Sequence, residues 1–293
     1  MRPVTQSMMS TMMRCEEKAR LRYLEELVSP DPPPPWLSVG SAVHKGFEVG
    51  SADAAEEMLR KDRGPAWTEA EGAALELDCA KVRAMVSGGL KLWDHWPSLA
   101  EVQFRIPFTN PATGRASTKH TLEGVFDGVF PGGPPRLLEI KTTSRLDSSY
   151  LERLDLDWQV SAYLAVASVM YQARVREMVY RVIRKPSIKQ RKTETLEEYT
   201  ERVASDYEDR PEFYFEEVLI TRTDQQIERW WYEAWEMHER ILRIENGGMT
   251  VRNSGHCLDF GRCTYFDLCR GVVGPSAFRV KEAHPELRRR TDK

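Results

Sequence analysis

Long apolar runs are missing from the sequence, and their absence excludes an integral membrane protein. No unbroken apolar stretch approaches the ~20 residues that a membrane-spanning helix requires, and the mean hydropathy is -0.52. The segment Met1 to Met13 also lacks the basic start, apolar stretch and small-residue cleavage site of a secretory signal. We therefore expect a soluble protein of the cytoplasm with no membrane partner.

Cysteine is scarce, with five among 293 residues. An odd number of cysteines in a reducing compartment argues against a disulfide framework and favours metal binding as the role of the cysteines. Cys257, Cys263 and Cys269 cluster near the C-terminus, and Cys15 would add a fourth thiolate that joins the two ends of the chain. Cys79 lies in a predicted helix and is interpreted as a core thiol. Paired zinc ligands usually lie about two to four residues apart, whereas four thiolates with wider gaps are compatible with an iron–sulfur cluster, so spacing alone leaves both open.

Several motor and catalytic motifs are also absent. The sequence has no Gly-x-x-x-x-Gly-Lys-Ser/Thr loop, so the chain carries no helicase motor of its own. It has neither a nucleophile elbow nor a nucleotide-binding glycine loop, which makes an acyl or phosphoryl transferase the weakest interpretation. The 42 Lys and Arg against 45 Asp and Glu give a net charge of -3, which does not exclude nucleic acid because binding follows local charge.

What is present is the composition of a globular fold, 41% hydrophobic and 30% charged. Apolar spacing predicts a mainly helical first third and then short strands that begin near Glu101. We therefore predict an α/β fold with a small sheet and a helical N-terminal elaboration. The predicted helices are 1–29, 39–59, 69–93, 157–171 and 224–245, and the predicted strands are 102–108, 121–130, 137–143, 178–183 and 213–220.

The most informative segment is a predicted hairpin around the Pro- and Gly-rich loop 131–135. A five-residue loop sets Phe130 opposite Arg136, and counting back along both strands sets Asp127 opposite Glu139. Their Cβ atoms would be ~5 Å apart. Facing carboxylates repel unless a cation lies between them, and oxygen ligands at that separation suit Mg²⁺ or Mn²⁺.

Alternation along the two strands sends Asp127, Glu139 and Lys141 to one face of the hairpin. Phosphodiester hydrolysis needs a metal that makes hydroxide near neutral pH, a cation that neutralises the charge developing on the phosphate, and an ammonium near the attacking water. These three side chains would supply that set, and a salt-bridged surface hairpin is the alternative interpretation. The residues expected on the opposite, core face are Phe126, Phe130, Leu138 and Ile140.

Two further motifs flank the hairpin, Gly40-x-x-x-His44 upstream and Gln159-x-x-x-Tyr163 downstream. In this order, Gly-x-x-x-His, Asp, Glu-x-Lys and Gln-x-x-x-Tyr resemble the PD-(D/E)xK nucleases of the RecB-like branch. That branch includes the CRISPR-associated four-cysteine nucleases and the nuclease domain of AddB-type helicase-nucleases. Any one motif is weak, whereas four in the family's order are specific, and the resemblance runs from Cys15 to Cys269.

The resemblance implies a restriction-endonuclease-like core, in which helices flank a central mixed sheet. It implies that Lys141 orients or activates water beside a bound Mg²⁺ or Mn²⁺. The family's proline before the Asp is Phe126 here. The implied catalytic residues are Asp127, Glu139, Lys141, Gln159 and Tyr163, and the implied metal ligands are His44, Asp127, Glu139 and the carbonyl of Ile140.

For the cysteines, the resemblance implies a structural [4Fe-4S] cluster, with zinc as the alternative, held by Cys15, Cys257, Cys263 and Cys269 in a C-terminal clasp. The family commonly has a first gap of two residues in the C-terminal trio, whereas five residues separate Cys257 from Cys263 here. We expect one nuclease domain over residues 1–293. Its expected parts are a mainly helical 1–100, a catalytic α/β core 101–185, a charged insertion with a strand and a helix 186–250, the cysteine clasp 251–271 and a polar tail 272–293.

The function predicted from these residues is that of a metal-dependent DNA nuclease. The resemblance implies an exonuclease that prefers single-stranded ends and acts in recombination, repair or DNA processing in a bacterial or phage-infected cell. It would act alone or with a separate helicase or recombination partner. A catalytically silent DNA-binding or scaffold protein is the alternative, and the intact Asp127, Glu139 and Lys141 argue against it.

A basic stretch after the predicted catalytic helix is a candidate DNA-binding surface, with Tyr150 or Trp158 as residues that would stack on bases. A solvated charged insertion is the alternative. Trp230, Trp231 and Trp235 are expected in the core, because aromatic residues on one broad helix face usually pack. The basic residues are Arg174, Arg176, Arg181, Arg184, Lys185, Lys189, Arg191 and Lys192.

Overall fold

The computed structural model describes residues 1–30, 35–65, 68–259, 261–281, 283–284 and 287. Within these residues, six strands form a central mixed sheet, and helices pack against both of its faces. The predicted α/β fold with a helical first third is confirmed.

The elements that precede the hairpin belong mainly to the helical first third. They are β1 (Arg2–Val4), α1 (Gln6–Arg14), α2 (Glu16–Ala19), β2 (Leu27–Val28), α3 (Pro35–Val49), α4 (Ala52–Arg63), α5 (Glu69–Leu92) and β3 (Leu99–Thr109). The elements from the hairpin onward are β4 (Ala116–Phe130), β5 (Arg136–Thr143), α6 (Ser148–Leu154), α7 (Trp158–Met170), β6 (Glu177–Arg184), α8 (Leu196–Asp209), α9 (Pro211–Tyr214), β7 (Phe215–Thr221), α10 (Asp224–Glu245), α11 (Phe266–Cys269) and β8 (Arg279–Val280).

The long strand β4 organises the sheet, whose order is β1-β4-β5-β6-β7 with β3 along the other side of β4. The start of β4 pairs in parallel with β1, at residues 120–122, and its end pairs with β5 in an antiparallel ladder at 128–130. β5 then continues beside β6 in parallel as far as Thr143. β4 and β5 are therefore paired only at residues 128–130 of β4. On the N-terminal side of Gly128 the two strands separate, and a fork opens between them.

Alternating side chains divide the core into two clusters on opposite faces of the sheet. On β6, Met178, Tyr180 and Val182 belong to a first cluster with α1, α7 and α10. The intervening Val179 and Ile183 belong to a second cluster with α3, α5 and α8. Both faces of the sheet are buried, as is usual for strands covered by helices on each side.

The predicted helix over residues 1–29 is wrong in part. Residues 2–4 form β1 because they pair with the distant strand β4, and a local apolar spacing cannot reveal such a partner. Helix α1 starts only after Thr5, whose side chain accepts a hydrogen bond from the Met8 N–H. A short π-helical turn at Arg20–Leu24 and strand β2 then end the helical run.

The predicted helix 39–59 and the charged insertion predicted at the start of 186–250 also differ from the structure. Gly50, at φ 67°, separates α3 from α4, because glycine adopts this left-handed conformation without strain. The insertion contains α8, and its Tyr199, Val203 and Tyr207 are buried against the second cluster. Because charged residues separate these three, the composition of the segment did not indicate an amphipathic helix.

The two ends of the described chain meet. Strand β2 pairs with β8, and the buried Tyr265 hydroxyl donates to the Leu27 carbonyl at 2.6 Å. Farther along, Arg243 forms an ion pair with Glu16 at 3.0 Å. The segment that carries Cys15 is thus held against the segment that carries Cys263 and Cys269. None of the helices in the described ranges has the length and apolar character needed to cross a membrane.

Candidate active site

The fork between β4 and β5 places the two predicted carboxylates. Phe130 pairs with Arg136, as the loop count predicts, and the ladder ends at Gly128 and Leu138. Beyond this pair, the Asp127 side chain replaces the backbone partner, because its Oδ2 accepts the Ile140 N–H at 2.7 Å. The strands are therefore joined by a carboxylate at the point where they separate.

Asp127 also contacts helix α3. The His44 Nδ1 lies 3.5 Å from Asp127 Oδ2, and both side chains are largely buried. Burial alone would raise the pKa of Asp127, but the charge and hydrogen bond of His44, aided by Lys141, outweigh it and hold that pKa below its usual range. Burial would lower the pKa of His44, but Asp127 outweighs it and raises that pKa.

Glu139 is the most deeply buried carboxylate of the site, with an exposed fraction of 1%. Its Oε1 accepts a hydrogen bond from Gln159 Nε2 at 2.9 Å and forms an ion pair with the Lys141 ammonium. Its Oε2 has no hydrogen-bond partner within the described part of the chain. Burial and then the charge of Asp127 raise the pKa of Glu139 to about 7. A buried carboxylate that is repelled by a second carboxylate calls for an additional cation.

Lys141 and Tyr163 complete the cluster of side chains around Glu139. Burial would lower the pKa of Lys141, but the charges of Glu139 and Asp127 outweigh it and raise that pKa, so the ammonium stays charged. Burial and then Glu139 raise the pKa of Tyr163, so its hydroxyl stays protonated. The Tyr163 ring packs edge-on against Phe126, at 5.2 Å between centroids. Helix α7 therefore presents both of its predicted residues, Gln159 and Tyr163, toward Glu139.

The predicted division of the hairpin into two faces is wrong at Phe126. Phe126 belongs to the first core cluster, whereas Phe130, on the same alternation, belongs to the second. Opposite Asp127 stands Glu101, whose φ of 50° interrupts the β3–β4 ladder between Ala100 and Val102. With its pairing broken on both sides, β4 changes the direction of its side chains at Asp127.

A cavity of about 250 Å³ opens beside Asp127 on the α3 face of the sheet. Its lining includes Glu48, one turn after His44 on α3, and Trp96, which stacks on Phe47 at 5.2 Å. These residues were not predicted. The His44 to Glu48 spacing on one helix face would have indicated Glu48, whereas Trp96 reaches the site only through the fold. Ile140, predicted as a carbonyl ligand, lines the same cavity.

The donor set suits a divalent cation, although no group of three or more His, Cys, Asp or Glu in the described ranges has the arrangement of a formed metal site. In this conformation, the Lys141 ammonium pairs with Glu139, and the His44 ring lies against Asp127. The buried Glu139 Oε2, which has no hydrogen-bond partner among the residues described, is an oxygen ligand of the kind that Mg²⁺ and Mn²⁺ prefer. The fit rests on this oxygen and on the paired carboxylates.

Cys15, Cys263 and Cys269 lie at the junction of the chain ends, apart from the carboxylates. Cys263 and Cys269 pack against the small cluster of Leu21, Leu27 and Tyr265. Burial raises the pKa of the Cys269 thiol, and Glu17, Cys263 and Cys15 raise it further. Cys257 is connected to Cys263 by a backbone hydrogen bond, in which the Cys257 carbonyl accepts from the Cys263 N–H at 2.8 Å. Cys79 is buried in the second core cluster, which confirms its interpretation as a core thiol.

The predicted basic stretch does not form one free surface. Arg181 is buried in β6, where its Nε donates to Glu217 at 2.7 Å. Arg174 and Arg176 both pair with Asp224 at the start of α10. Strand alternation and neighbouring carboxylates therefore divide this positive charge among separate contacts.

The aromatic residues proposed for base stacking are also engaged. Trp158 donates to Glu233 at 3.2 Å and packs against Trp230, and the Arg153 guanidinium lies 5.3 Å from the Tyr150 ring centroid. The prediction that the α10 tryptophans pack is confirmed: Trp230 is buried, and its two neighbours are partly buried against the first cluster.

Comparison with known proteins identifies the class to which this arrangement belongs. The profile of the PD-(D/E)XK nuclease superfamily matches residues 3–270. Because the match extends over most of the chain, the protein belongs to this superfamily and is a nuclease. DNA is the substrate that the family implies. None of the curated proteins matches the sequence.

A solved structure supports the fold. The crystal structure of a protein from Eubacterium rectale named "putative exonuclease" superposes with a TM-score of 0.51 at 16% identity. The superposition covers 93% of this chain and 89% of the other. At this identity the likeness concerns the fold alone, and the fold is the predicted restriction-endonuclease-like arrangement of a mixed sheet flanked by helices.

Proposed function

We propose that the protein is a metal-dependent deoxyribonuclease of the RecB-like branch, an exonuclease that prefers single-stranded ends. The observation that carries the proposal is the buried Glu139, whose Oε2 has no hydrogen-bond partner among the described residues and whose neighbour is a second carboxylate, Asp127. A protein that only bound DNA would gain nothing from this repulsion. The ordered motifs with His44, Gln159 and Tyr163 support the branch.

The residues of the chain divide the work of hydrolysis. Asp127, Glu139 and His44, with the Ile140 carbonyl, would hold Mg²⁺ or Mn²⁺, which supplies a hydroxide near neutral pH and neutralises charge on the phosphate. Lys141 remains protonated beside Glu139 and would orient the attacking water. Gln159 would keep Glu139 oriented through its amide N–H, which donates to Glu139 Oε1 at 2.9 Å.

The decisive test is cleavage of end-labelled single- and double-stranded DNA by anaerobically purified protein with Mg²⁺ or Mn²⁺. We expect metal-dependent digestion that releases the end label and is faster on single strands. Lys141→Ala should fold like the wild type, because its side chain is one-third exposed, and should lose cleavage by about 100-fold or more. Circular dichroism and the melting temperature check the fold of the variant.

Three outcomes would contradict parts of this proposal. Wild-type activity that survives in Lys141→Ala would remove Lys141 from the mechanism. Internal cuts in circular DNA would identify an endonuclease. The absence of cleavage under either metal, with DNA binding retained, would favour the second candidate, a silent DNA-binding or scaffold protein.

We further propose that Cys15, Cys257, Cys263 and Cys269 hold a structural [4Fe-4S] cluster, with zinc as the alternative. The supporting facts are the meeting of the chain ends near these thiols and the closeness of Cys263 and Cys15 to Cys269, whose pKa both of them raise. Iron and sulfide analysis with the visible absorption of the anaerobic protein distinguishes the two metals. The clasp would close a single domain that works in the cytoplasm in DNA recombination or repair, alone or with a helicase or recombination partner.

A further inference from the structure

Exposed arginines from three distant segments of the chain line one open groove. The groove has a volume of about 640 Å³ and lies between the end of α1, the second half of α10 and the segment that precedes the C-terminal cysteines. Its arginines are Arg14, Arg240, Arg243 and Arg252, and all four are exposed. Because these residues are far apart in the sequence, only the fold brings their charges together.

The groove carries more positive charge than its carboxylate can neutralise. Among the described residues that line it, Glu16 is the one acidic residue. The buried Glu16 carboxylate pairs with Arg243 at 3.0 Å, whereas Arg240 lies 4.0 Å from it. Arg252 donates to a neutral group, the Cys269 carbonyl, at 2.8 Å. Four guanidinium groups thus share one carboxylate, and the groove keeps a net positive charge.

The segment that carries Arg252 is anchored against the start of the chain. The Val251 N–H donates to Glu16 at 2.9 Å and joins this segment to α2. The neighbouring Glu17 carboxylate is paired with Arg20 at 2.7 Å. The walls of the groove are therefore held by contacts beneath the surface, while the arginine side chains on its rim remain exposed.

Helix α1 connects this groove to the fork that carries the carboxylates. Strand β3 pairs with residues 121–129 of β4, which overlap both the β1 ladder at 120–122 and the β5 ladder at 128–130. β1 and β5 therefore lie along the same edge of β4, one on each side of the fork. Helix α1 begins directly after β1 and, with nine residues, runs for ~14 Å before it ends at the groove. A DNA strand that enters the fork can thus follow α1 to the groove.

We infer that this groove binds the sugar–phosphate backbone of the single DNA strand whose end enters the fork. Guanidinium groups donate paired N–H groups to phosphate oxygens, and such contacts hold a strand without reading its base sequence. Each neutralised phosphate also releases counterions, so the binding depends steeply on salt. This inference rests on the proposed nuclease function and makes the four arginines substrate-binding residues.

The test measures binding of a fluorescent single-stranded oligonucleotide to the full chain, purified anaerobically, with Ca²⁺ present and at several salt concentrations. Arg240→Gln is the first variant, because Arg240 is half-exposed and its removal leaves the Arg243 pair with Glu16 in place. It should bind about three- to tenfold more weakly, and the slope of log Kd against log salt should fall by about 1. Arg240→Lys keeps the charge and should restore the wild-type slope.

A double variant, Arg14→Gln with Arg240→Gln, removes charge from two walls of the groove. Its slope should fall by about 2, because each lost phosphate contact releases fewer counterions. Thermal melting checks that both variants fold. Loss of a merely structural contact would change the melting temperature without changing the salt slope.

Arg229→Gln is the matched control. Arg229 is exposed on the same helix about three turns before Arg240, where it pairs with Glu233 at 2.8 Å. The control changes the net charge by the same amount and should bind DNA like the wild type.

Two results would overturn this inference and leave the nuclease proposal intact. One is a double variant with the affinity and salt slope of the wild type. The other is an equal loss of affinity in Arg229→Gln, because the effect would then follow the net charge of the protein. A wild-type protein that neither binds nor cleaves DNA would overturn the proposed function, and this inference with it.

Discussion

At the residue scale, burial decides how the charged side chains behave. Glu139 has its pKa raised to about 7 by burial and by Asp127, whereas Asp127, beside His44, keeps a low pKa. Two carboxylates of nearly equal intrinsic acidity thus acquire different properties from their neighbours. The arrangement favours a bound cation because a cation relieves the repulsion that burial creates.

A second buried titratable group, His238, predicts how stability depends on pH. Burial and then the neighbouring His120 lower the pKa of His238 to about 4. An unfolded histidine accepts a proton near pH 6.5, so the unfolded state binds more protons between these values and folding stability falls as the pH drops from about 6.5 to 4. The contribution lost is about 3 kcal/mol at the acid end.

Urea unfolding of the wild type and of His238→Gln at several pH values checks this prediction. His238→Gln retains a polar group that can reach Ser117, the partner of the ring at 2.9 Å, but it cannot titrate. The difference between the two unfolding free energies should narrow as the pH falls from 6.5 to 4. Parallel curves would show that His238 does not control acid stability.

At the element scale, helix α3 has two tasks, which belong to different faces of the helix. One face packs closely against α4 and α5, since a Cβ at Gly46 would lie 2.7 Å from Val86 and 2.9 Å from Ala55. His44, two residues earlier and therefore on another face, lies 3.5 Å from Asp127 at the carboxylate site. The packing of α3 against α4 and α5 therefore fixes where His44 lies relative to Asp127.

We therefore expect Gly46→Ala to destabilise the protein by about 1–3 kcal/mol, the usual cost of forcing an extra methyl into a packed interior. Chemical denaturation monitored by tryptophan fluorescence measures the loss. Gly40→Ala is the matched comparison on the same helix and should not be destabilised, because a Cβ there would meet its nearest described neighbour, the Thr142 Oγ1, at an ordinary 3.7 Å. Equal stability of the two variants would mean that the contact between α3 and α5 adapts without cost.

At the scale of the whole molecule, the chain ends are joined by contacts that do not depend on metal. Strand β2 pairs with β8, and Tyr265 bonds to Leu27. The thiols of Cys15 and Cys269 lie at this junction. A metal cluster bound here would restrain a long loop that contains every strand of the central sheet except β1, and a cross-link that closes a long loop has a large effect on the unfolded chain.

Cys263→Ser should lower the metal content, the solubility and the melting temperature of the protein, because a serine hydroxyl does not replace a thiolate ligand. Cys79→Ala is the matched control, since Cys79 is buried in a different cluster and should leave the metal content unchanged. Elemental analysis and thermal melting under anaerobic conditions measure both effects. A soluble and fully metallated Cys263→Ser protein would show that the clasp is not a metal site.

Local sequence by itself determined the hairpin and was enough to predict the residues of the candidate site. The loop 131–135 sets the register that brings Phe130 opposite Arg136, because the pairing of a hairpin depends only on the residues around its turn. The order of the motifs at His44, Asp127, Glu139 and Gln159 identified the nuclease superfamily. Both signals lie in short segments, where neighbours along the chain are also neighbours in space.

Only the tertiary structure decided which surroundings these residues receive. The pairing of Arg2–Val4 with β4, the separation of β4 from β5 and the side-chain direction at Asp127 depend on partners that are distant in sequence. The burial of Arg181 and the place of Trp96 beside Asp127 likewise follow from how the helices cover the sheet. Such contacts could not be predicted locally, because they depend on the packing of elements far apart in the sequence.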